Sequence, residues 1–432
     1  MRKINIGLIG FGTVGSGVVK VLQERKALLK KLGGVDIALK YICDKDITSN
    51  RGLNLNIDKK ILTKNPNKIL MDPDIEIVIE LIGGVYPARE IILAALRNNK
   101  HIVTANKALL AEKGAEIFKT AERYGKEVRF EGSVGGGIPI VKALREGFVS
   151  NKINEIYGII NGTSNYILSQ MSDKECKFDI ALKAAKNFGI AEANPKLDVN
   201  GTDSAHKLIL LAWLSFGILA KPSQVYREGI LEIEPRDITY AKEMGYTIKL
   251  LAISKKVVNE IELRVHPTLV PNTHLLAAVK DVYNAIYVKG DLTGQALFYG
   301  KGAGRFPTAS AVVSDIVDLA KIIQRHPVGR TTPFKTTTAA VIKKMDEIKT
   351  RYYIRFSAVD RPGVLANISS ILGRNNISIA SVTQKEKRRV KTVPIVMMTH
   401  LALERDLRKA MALIDRLPVI KKKSVVIRVE SL

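Results

Sequence analysis

Three side chains near the middle of the chain, Glu192, Asp203 and Lys207, have the types and spacing that proton transfer on a small polar substrate requires. Asp203 and Lys207 lie four residues apart at the start of NGTDSAHKLILLAWL, a strongly apolar run that reads as a helix. An acid and an amine one helical turn apart share a face and can serve a single pocket. Glu192 lies upstream in FGIAEANPKLDVNG, a Gly-, Pro- and Asn-rich loop able to fold back toward the same helix end. Taken alone, Asp203 and Lys207 also suit an ordinary i,i+4 pair on a solvated helix face, so their company decides their meaning.

That company begins at residue 4. INIGLIGFGTVGSGVVKVL reads as a short apolar strand, a turn with Gly10, Gly12 and Gly15 in G-x-G-x-x-G spacing, and a helix. The glycines permit a tight turn, close approach of the backbone to a pyrophosphate, and close helix-to-sheet packing, while the helix N-terminus supplies N–H groups and a positive dipole end. This predicts a Rossmann-type dinucleotide site. A second strand, VDIALKYICDKD, ends at Asp44, Lys45 and Asp46, where such folds read the adenosine ribose. Asp44 favours the free 2′-hydroxyl of NAD, whereas Lys45 and Arg51 suit the 2′-phosphate of NADP. Both cofactors stay open, with the balance toward NADP.

EIVIELIGGVYPAREIILAALRNNKHIVTANKALLA continues the alternation of strand and helix that builds a parallel sheet. Thr104, Asn106 and Lys107 fall at the C-terminal end of the short strand, the edge where open parallel sheets bind ligands. Lys107 there can hold a substrate carboxylate or contact the nicotinamide end of a cofactor, and a helix cap with a solvated lysine is the plainer alternative. In EVRFEGSVGGGIPIVKAL, carbonyls of the loop through Gly132, Gly135, Gly136 and Gly137 suit a monovalent cation together with Glu131. From residue 149 strands and helices of mixed order predict an α+β domain on a mixed or antiparallel sheet. GKGAGRFPTASAVVSDIVDLAKII then repeats a glycine turn feeding a helix, with Gly302, Ala303 and Gly304 as a second N–H nest for the cofactor. A linker is expected at HPVGRTTPFKTTT. The tail from Arg351 reads strand, helix, strand, strand, helix, strand, with DRPGVL as a turn feeding its first helix.

A chain of 432 residues is long enough for two or three domains with proper cores. No apolar stretch approaches a membrane span, and MRKINIGLIG enters a strand without a signal-peptide pattern, so a cytoplasmic location is expected. Two cysteines, Cys43 and Cys176, give neither a disulfide framework nor a metal-ligand spacing. With 68 Lys and Arg against 42 Asp and Glu the formal net charge is +26, which invites a nucleic-acid reading. The distribution argues against it: outside KEKRRVK at 385–391 and KKK at 421–423 the cations are interspersed with acids, as on a solvated surface that attracts an anionic cofactor.

Five segments in order, GLIGFGTVGSG, VTANKALLA, NGTSNYIL, Glu192 to Lys207, and GAGRFPTASAVVSDI, resemble homoserine dehydrogenases over about residues 4–330. The tail resembles the ACT domain, a ferredoxin-like module that commonly binds an amino acid. The expected organisation is a dinucleotide-binding domain over 1–140, to which the chain returns at 305–335. An α+β substrate-binding, catalytic and dimerisation domain follows over 141–304, and an ACT domain over 350–432. The resemblance implies reversible reduction of L-aspartate 4-semialdehyde to L-homoserine with NADPH or NADH in threonine, methionine and isoleucine biosynthesis. It also implies a homodimer or homotetramer and L-threonine as effector, although Asp360 to Leu365 is a general ACT signature that does not identify the ligand.

In these terms Lys207 is the general acid and base, an amine whose pKa a partly dry site can lower. Asp203 orients that amine or a water, and Glu192 with Asp198 and Asp203 binds the substrate ammonium. Lys107 helps place substrate near the nicotinamide. The resemblance assigns Gly10, Phe11, Gly12, Thr13, Val14, Gly15, Lys45, Thr104, Lys107, Gly189, Gly302 and Gly304 to the cofactor. It assigns Glu131, with the carbonyls of Val134, Gly136 and Ile138, to sodium. Ser204 in the small-residue slot after Asp203 is a conservative variation. The segment DKDITSNRG fits no single cofactor class.

Two rivals carry less weight. Aspartate-semialdehyde dehydrogenase needs a nucleophilic cysteine, for which Cys43 and Cys176 lack the setting. A nonenzymatic amino-acid sensor that binds nucleic acid would have no use for Lys107, Glu192, Asp203 and Lys207. A fused aspartate kinase is not expected, because the first strand starts at residue 4.

Overall fold

The computed structural model describes residues 2–325, 341–384 and 392–432. These residues fall in two compact units. One draws on Met1–Ile153, His206–Pro222 and Asn284–Thr338, the other on Asn154–Ala205, Ser223–Tyr283 and Ala339–Leu432. The linker at 326–338 and the basic run at 385–391 lie outside the described residues.

In the first unit the alternation of apolar strands and helices gives a six-stranded sheet. Its strands are Lys3–Ile9 (β1), Asp36–Cys43 (β2), Leu62–Thr63 (β3), Ile75–Glu80 (β4), His101–Thr104 (β5) and Val128–Arg129 (β6). They lie in the order β3-β2-β1-β4-β5-β6 with every pair parallel. Helices on both faces explain why the strands are apolar on both sides. Ile4, Ile6 and Leu8 of β1 and Ile77 and Ile79 of β4 are fully buried, each contributing roughly 1.5–3 kcal/mol by burial. The strand order reverses between β1 and β4, and open parallel sheets take their ligands at the carboxyl ends of the strands beside such a reversal.

Helix Arg305–Arg325 joins this unit: Val312, Val313, Ile316 and Leu319 share a core with Val18 and Val19 of helix Thr13–Glu24. The crossing depends on Gly17, where a Cβ would lie 2.8 Å from Cγ of Arg305 and 3.2 Å from Cβ of Ala309.

The second unit is built on a mixed sheet. Strand Ile153–Ile159 pairs antiparallel with Tyr246–Val257, which pairs antiparallel with Glu260–Pro271 along its whole length. Glu260–Pro271 then pairs parallel with Ile420–Val429 through Thr268 to Arg428 and Leu269 to Val429. Ile420–Val429 leads into the tail, whose strands follow in the order Lys349–Val359, Thr392–Thr399, Ile379–Gln384, all antiparallel. Helices Val364–Arg374 and Glu404–Ile414 complete the expected strand and helix order, and their Ile368, Leu372, Leu407 and Ile414 pack on Tyr352, Ile354 and Phe356. Helix Thr202–Phe216 forms where NGTDSAHKLILLAWL predicts it, with Thr202 bonded to the Asn200 side chain as it begins; its residues through Ala205 count with this unit and those from His206 with the first.

Candidate active site

The three glycines of the first loop divide their work. Gly10 adopts φ +102°, and a Cβ there would sit 2.5 Å from the Leu81 backbone. A Cβ on Gly15 would come within 2.1 Å of the Gly10 carbonyl oxygen. Those two serve the chain's own turn. A Cβ on Gly12 would meet no atom within 4 Å, so nothing in the protein requires glycine there. Gly12 is the N-cap of helix Thr13–Glu24 and supplies no capping side chain, and the first turn holds no acid. Open space before an uncapped helix N-terminus, flanked by Phe11, Thr13 and Val14, fits a pyrophosphate.

Beside this loop Asp44 follows β2 and accepts from the Phe11 N–H at 2.5 Å and from the Asp46 N–H at 2.9 Å. The Arg51 guanidinium lies 5.4 Å from the Phe11 ring centroid, 4.0 Å from Asp44 and 3.3 Å from Asp46. Lys45 is exposed. Arg51 therefore sits beside the end of β2, a cation balanced by two carboxylates.

At the ends of β4 and β5 a buried network fixes a second loop. Glu80, fully buried, accepts from the N–H groups of Ile82 at 2.8 Å and Gly83 at 3.4 Å, and from the Thr104 hydroxyl at 2.7 Å. Burial pushes the Glu80 carboxyl above its ordinary range, against the opposing pull of these donors. Thr104 Oγ1 accepts from the Asn106 N–H at 3.0 Å, and Asn106 Nδ2 donates to the Gly84 carbonyl at 2.6 Å. Asn106 Oδ1 caps helix Lys107–Arg123 through the Leu109 N–H, which makes Lys107 its first residue. Glu80 escaped the sequence reading. Its signal was an acid at the carboxyl end of the parallel strand IEIVIE.

Glu131 is buried, and its two oxygens accept from the N–H groups of Val141 at 3.0 Å and Lys142 at 2.8 Å. Desolvation raises its carboxyl to about 7. The following turn passes Val134 and bends through Gly135 at φ +72° and Gly136 at φ +51° before Ile138. A Cβ on Gly136 would lie 2.5 Å from the Gly302 carbonyl oxygen, so this turn packs directly on the glycine segment before helix Arg305–Arg325. Gly304 adopts φ +123° at that helix's start.

In the second unit the structure joins two of the acids. Asn161 Nδ2 donates to Asp198 at 2.8 Å and to Asp203 at 2.9 Å. Its Oδ1 accepts from the Ser164 N–H at 2.7 Å, capping helix Gly162–Lys174. The Ser164 hydroxyl donates to the Asp198 carbonyl at 2.9 Å and that of Thr163 to the Ile190 carbonyl at 3.1 Å, so one helix start clamps the whole acidic loop. Asn161 is a site residue that NGTSNYIL contained without revealing. Two carboxylates held on one amide make a site for a cation. Glu192 is exposed, and Gly189, at φ +67°, ends helix Phe178–Asn187 next to open space. Lys207 is buried one helical turn beyond Asp203 in helix Thr202–Phe216.

Cys43 is buried, and desolvation raises its thiol to about 11, which leaves no nucleophile there. Among the described residues no group of three or more His, Cys, Asp or Glu side chains gathers as a metal site, and no helix is long and apolar enough to cross a membrane.

Family models match three stretches of the chain. Residues 10–131 match the homoserine dehydrogenase NAD-binding domain, 139–317 match homoserine dehydrogenase, and 352–419 match the ACT domain. A homoserine dehydrogenase of Neisseria gonorrhoeae is 44% identical over 436 residues, covering 100% of both chains. The crystal structure of a homoserine dehydrogenase from Thiobacillus denitrificans superposes with a TM-score of 0.93 at 43% identity, over 100% of this chain and 99% of that one. A mutant hyperthermophilic archaeal homoserine dehydrogenase in complex with NADPH gives a TM-score of 0.63 at 26% identity, over 74% and 98%. With its glycine loop, its acid pair and its buried lysine in sequence order, the chain belongs to the homoserine dehydrogenase family, NAD(P)-dependent oxidoreductases, and carries a C-terminal ACT domain.

Proposed function

We propose that the chain interconverts L-homoserine and L-aspartate 4-semialdehyde through Lys207 and the acid cluster around Asp203. The observation that carries this reading is the Asn161 bridge between Asp198 and Asp203, one helical turn from a buried lysine. A bound nicotinamide nucleotide supplies or accepts the hydride. Lys207 takes the proton from the alcohol oxygen in oxidation and returns it to the developing alkoxide in reduction. Asp203 orients the Lys207 amine or an intervening water. Asp198 and Asp203, with Glu192, match the substrate ammonium, since a buried cation needs its counter-charge. Lys107, placed by the Asn106 cap, helps position the substrate.

Gly10 to Gly15, Thr104, Lys107, Gly189, Gly302 and Gly304 hold the cofactor. NADP is the better match of the two, because Asp44 spends its oxygens on two backbone N–H groups and a 2′-phosphate would compete with Asp44 and Asp46 for the nearby Arg51 guanidinium. A sodium ion suits the turn of Glu131, Val134, Gly136 and Ile138, where a buried carboxylate stands beside carbonyls turned by two left-handed glycines. L-Threonine acting through the ACT domain, assembly as a homodimer or homotetramer, a cytoplasmic location and no nucleic-acid partner complete the reading.

The test is Lys207→Ala. It is expected to lower kcat by about 10²-fold or more on the scale of general acid–base catalysis while leaving the Kd for NADP unchanged. Turnover near that of the wild type would falsify the assignment.

A further inference from the structure

Within the second unit a cavity of about 570 Å³ opens at the edge of strand Glu260–Pro271, far along the chain from the glycine loops. Two short strands, Tyr226–Arg227 and Val341–Ile342, pair parallel with that edge at Val265 and Ile261, and Leu263 lies in the gap between them. Its lining includes the apolar side chains of Leu263, Ile342 and Met345, cationic side chains and no carboxylate. Lys343 is bonded to Glu260 at 2.9 Å and Arg264 to Glu430 at 2.7 Å, so those two cations are balanced. Arg227 and Lys344 form no ion pair among the described residues. A cavity of this volume, lined by apolar side chains and by two cations outside any ion pair, has the character of a small-molecule site for an anion.

One lining residue of the cavity, Arg227, reaches the end of the acidic loop. Arg227 Nη1 donates to the Thr202 hydroxyl at 3.2 Å, and Thr202 opens the helix whose next residue is Asp203. The segment after Arg227 has no slack: a Cβ on Gly229 would lie 2.2 Å from the Val199 carbonyl oxygen, and the Ile230 N–H donates to that carbonyl at 2.9 Å. On its other side Tyr226 is held by the tail, with the guanidinium groups of Arg428 and Arg408 at 4.9 and 5.5 Å from its ring centroid. A ligand drawing on Arg227 therefore acts on the Asp198 to Asp203 segment and on the ACT module through one short strand.

We propose that this cavity is a regulatory site for a small organic anion, a carboxylate or phosphate on an apolar body, and that its occupancy draws Arg227 away from Thr202 and weakens substrate binding. The second half rests on Asp198 and Asp203 being substrate ligands, as proposed above.

Calorimetry on the full chain with NADP in excess, using benzoate and phenyl phosphate as probes, separates the carboxylate from the phosphate source and needs no turnover. At least one probe is expected to bind wild-type protein at least tenfold more tightly than the R227Q/K344Q double variant. Lys344→Gln, an exposed change, should weaken binding by itself while leaving basal turnover unchanged. The bound probe should raise the KM for homoserine at least threefold in the wild type and not in Thr202→Val, which has no hydroxyl for Arg227 to leave. The site is overturned if neither probe binds beyond a sodium chloride control of equal ionic strength, or if Lys344→Gln and the double variant bind as tightly as the wild type. Binding that leaves KM unmoved overturns the transmission through Arg227. Absence of homoserine turnover in the wild type condemns the substrate reading and leaves the binding result standing.

Discussion

In the first unit the buried carboxylates of Glu80 and Glu131 accept from backbone N–H groups of their own neighbourhood, whereas in the second unit those of Asp237 and Glu404 are met by arginines from distant strands. Arg355 holds both oxygens of Asp237 at 2.6 and 3.0 Å, and the Tyr353 hydroxyl donates to it at 2.9 Å. Arg428 reaches Glu404 at 2.9 Å and Glu228, 200 residues away, at 2.7 Å. A carboxylate that accepts from backbone sets the shape of a loop, and a carboxylate paired with arginine sets the position of an element. The first arrangement shapes loop backbone, and the second ties the tail to helix Pro235–Glu243 and to Glu228, just past the short strand Tyr226–Arg227.

The difference can be broken most severely at Asp237. Asp237→Ala removes the two-point partner of buried Arg355, leaving it only Glu234 at 3.3 Å, and is expected to cost about 3 kcal/mol, the low end of the range for breaking a buried ion pair, as read by denaturant unfolding. A loss below about 1 kcal/mol would mean that Arg355 finds water or another partner, and the pairing would lose its architectural role.

A buried cation without a carboxylate sharpens the contrast. Lys249 is buried, and its amine donates to the Val279 carbonyl and, at 3.4 Å, to Asn165 Oδ1. Desolvation lowers it from 10.5 to about 8. Between about 8 and 10.5 the unfolded chain binds this proton more than the folded chain does, so stability rises with pH across that window and is lost as pH falls through about 8. The stability of wild type relative to Lys249→Met should therefore increase by roughly 2 kcal/mol from pH 8 to pH 10.5. A pH-independent difference would show that the amine is solvated.

The smallest effect separates ligand space from packing within the glycine loop. Gly12→Ala, whose Cβ meets no protein atom, should leave Tm unchanged while weakening NADP binding about tenfold, or about 1.4 kcal/mol. Gly15→Ala, 2.1 Å from the Gly10 oxygen, should lower Tm as well. Equal effects of the two on Tm would remove the distinction.

Legibility follows the same divide. The strand, glycine turn and helix from residue 4, and the Asp203 to Lys207 spacing, are local patterns whose geometry is set within a few turns of chain, and the structure keeps them. The tail's strand and helix order was equally local. Asn161, Glu80 and the Arg428 cluster were not legible, because each acts across 24 to 200 residues and depends on which loops the fold brings together. Arg51 was read as a candidate for the 2′-phosphate, but its balance against Asp44 and Asp46 needed coordinates. Glu192 remains exposed, and no local pattern could have placed it relative to Asp198.

Homoserine oxidation followed at 340 nm with NADP and NAD in parallel, with and without L-threonine, tests the central claim most directly. The account predicts turnover with a higher kcat/KM for NADP and a response to threonine. Folded protein that turns over with neither cofactor would contradict it.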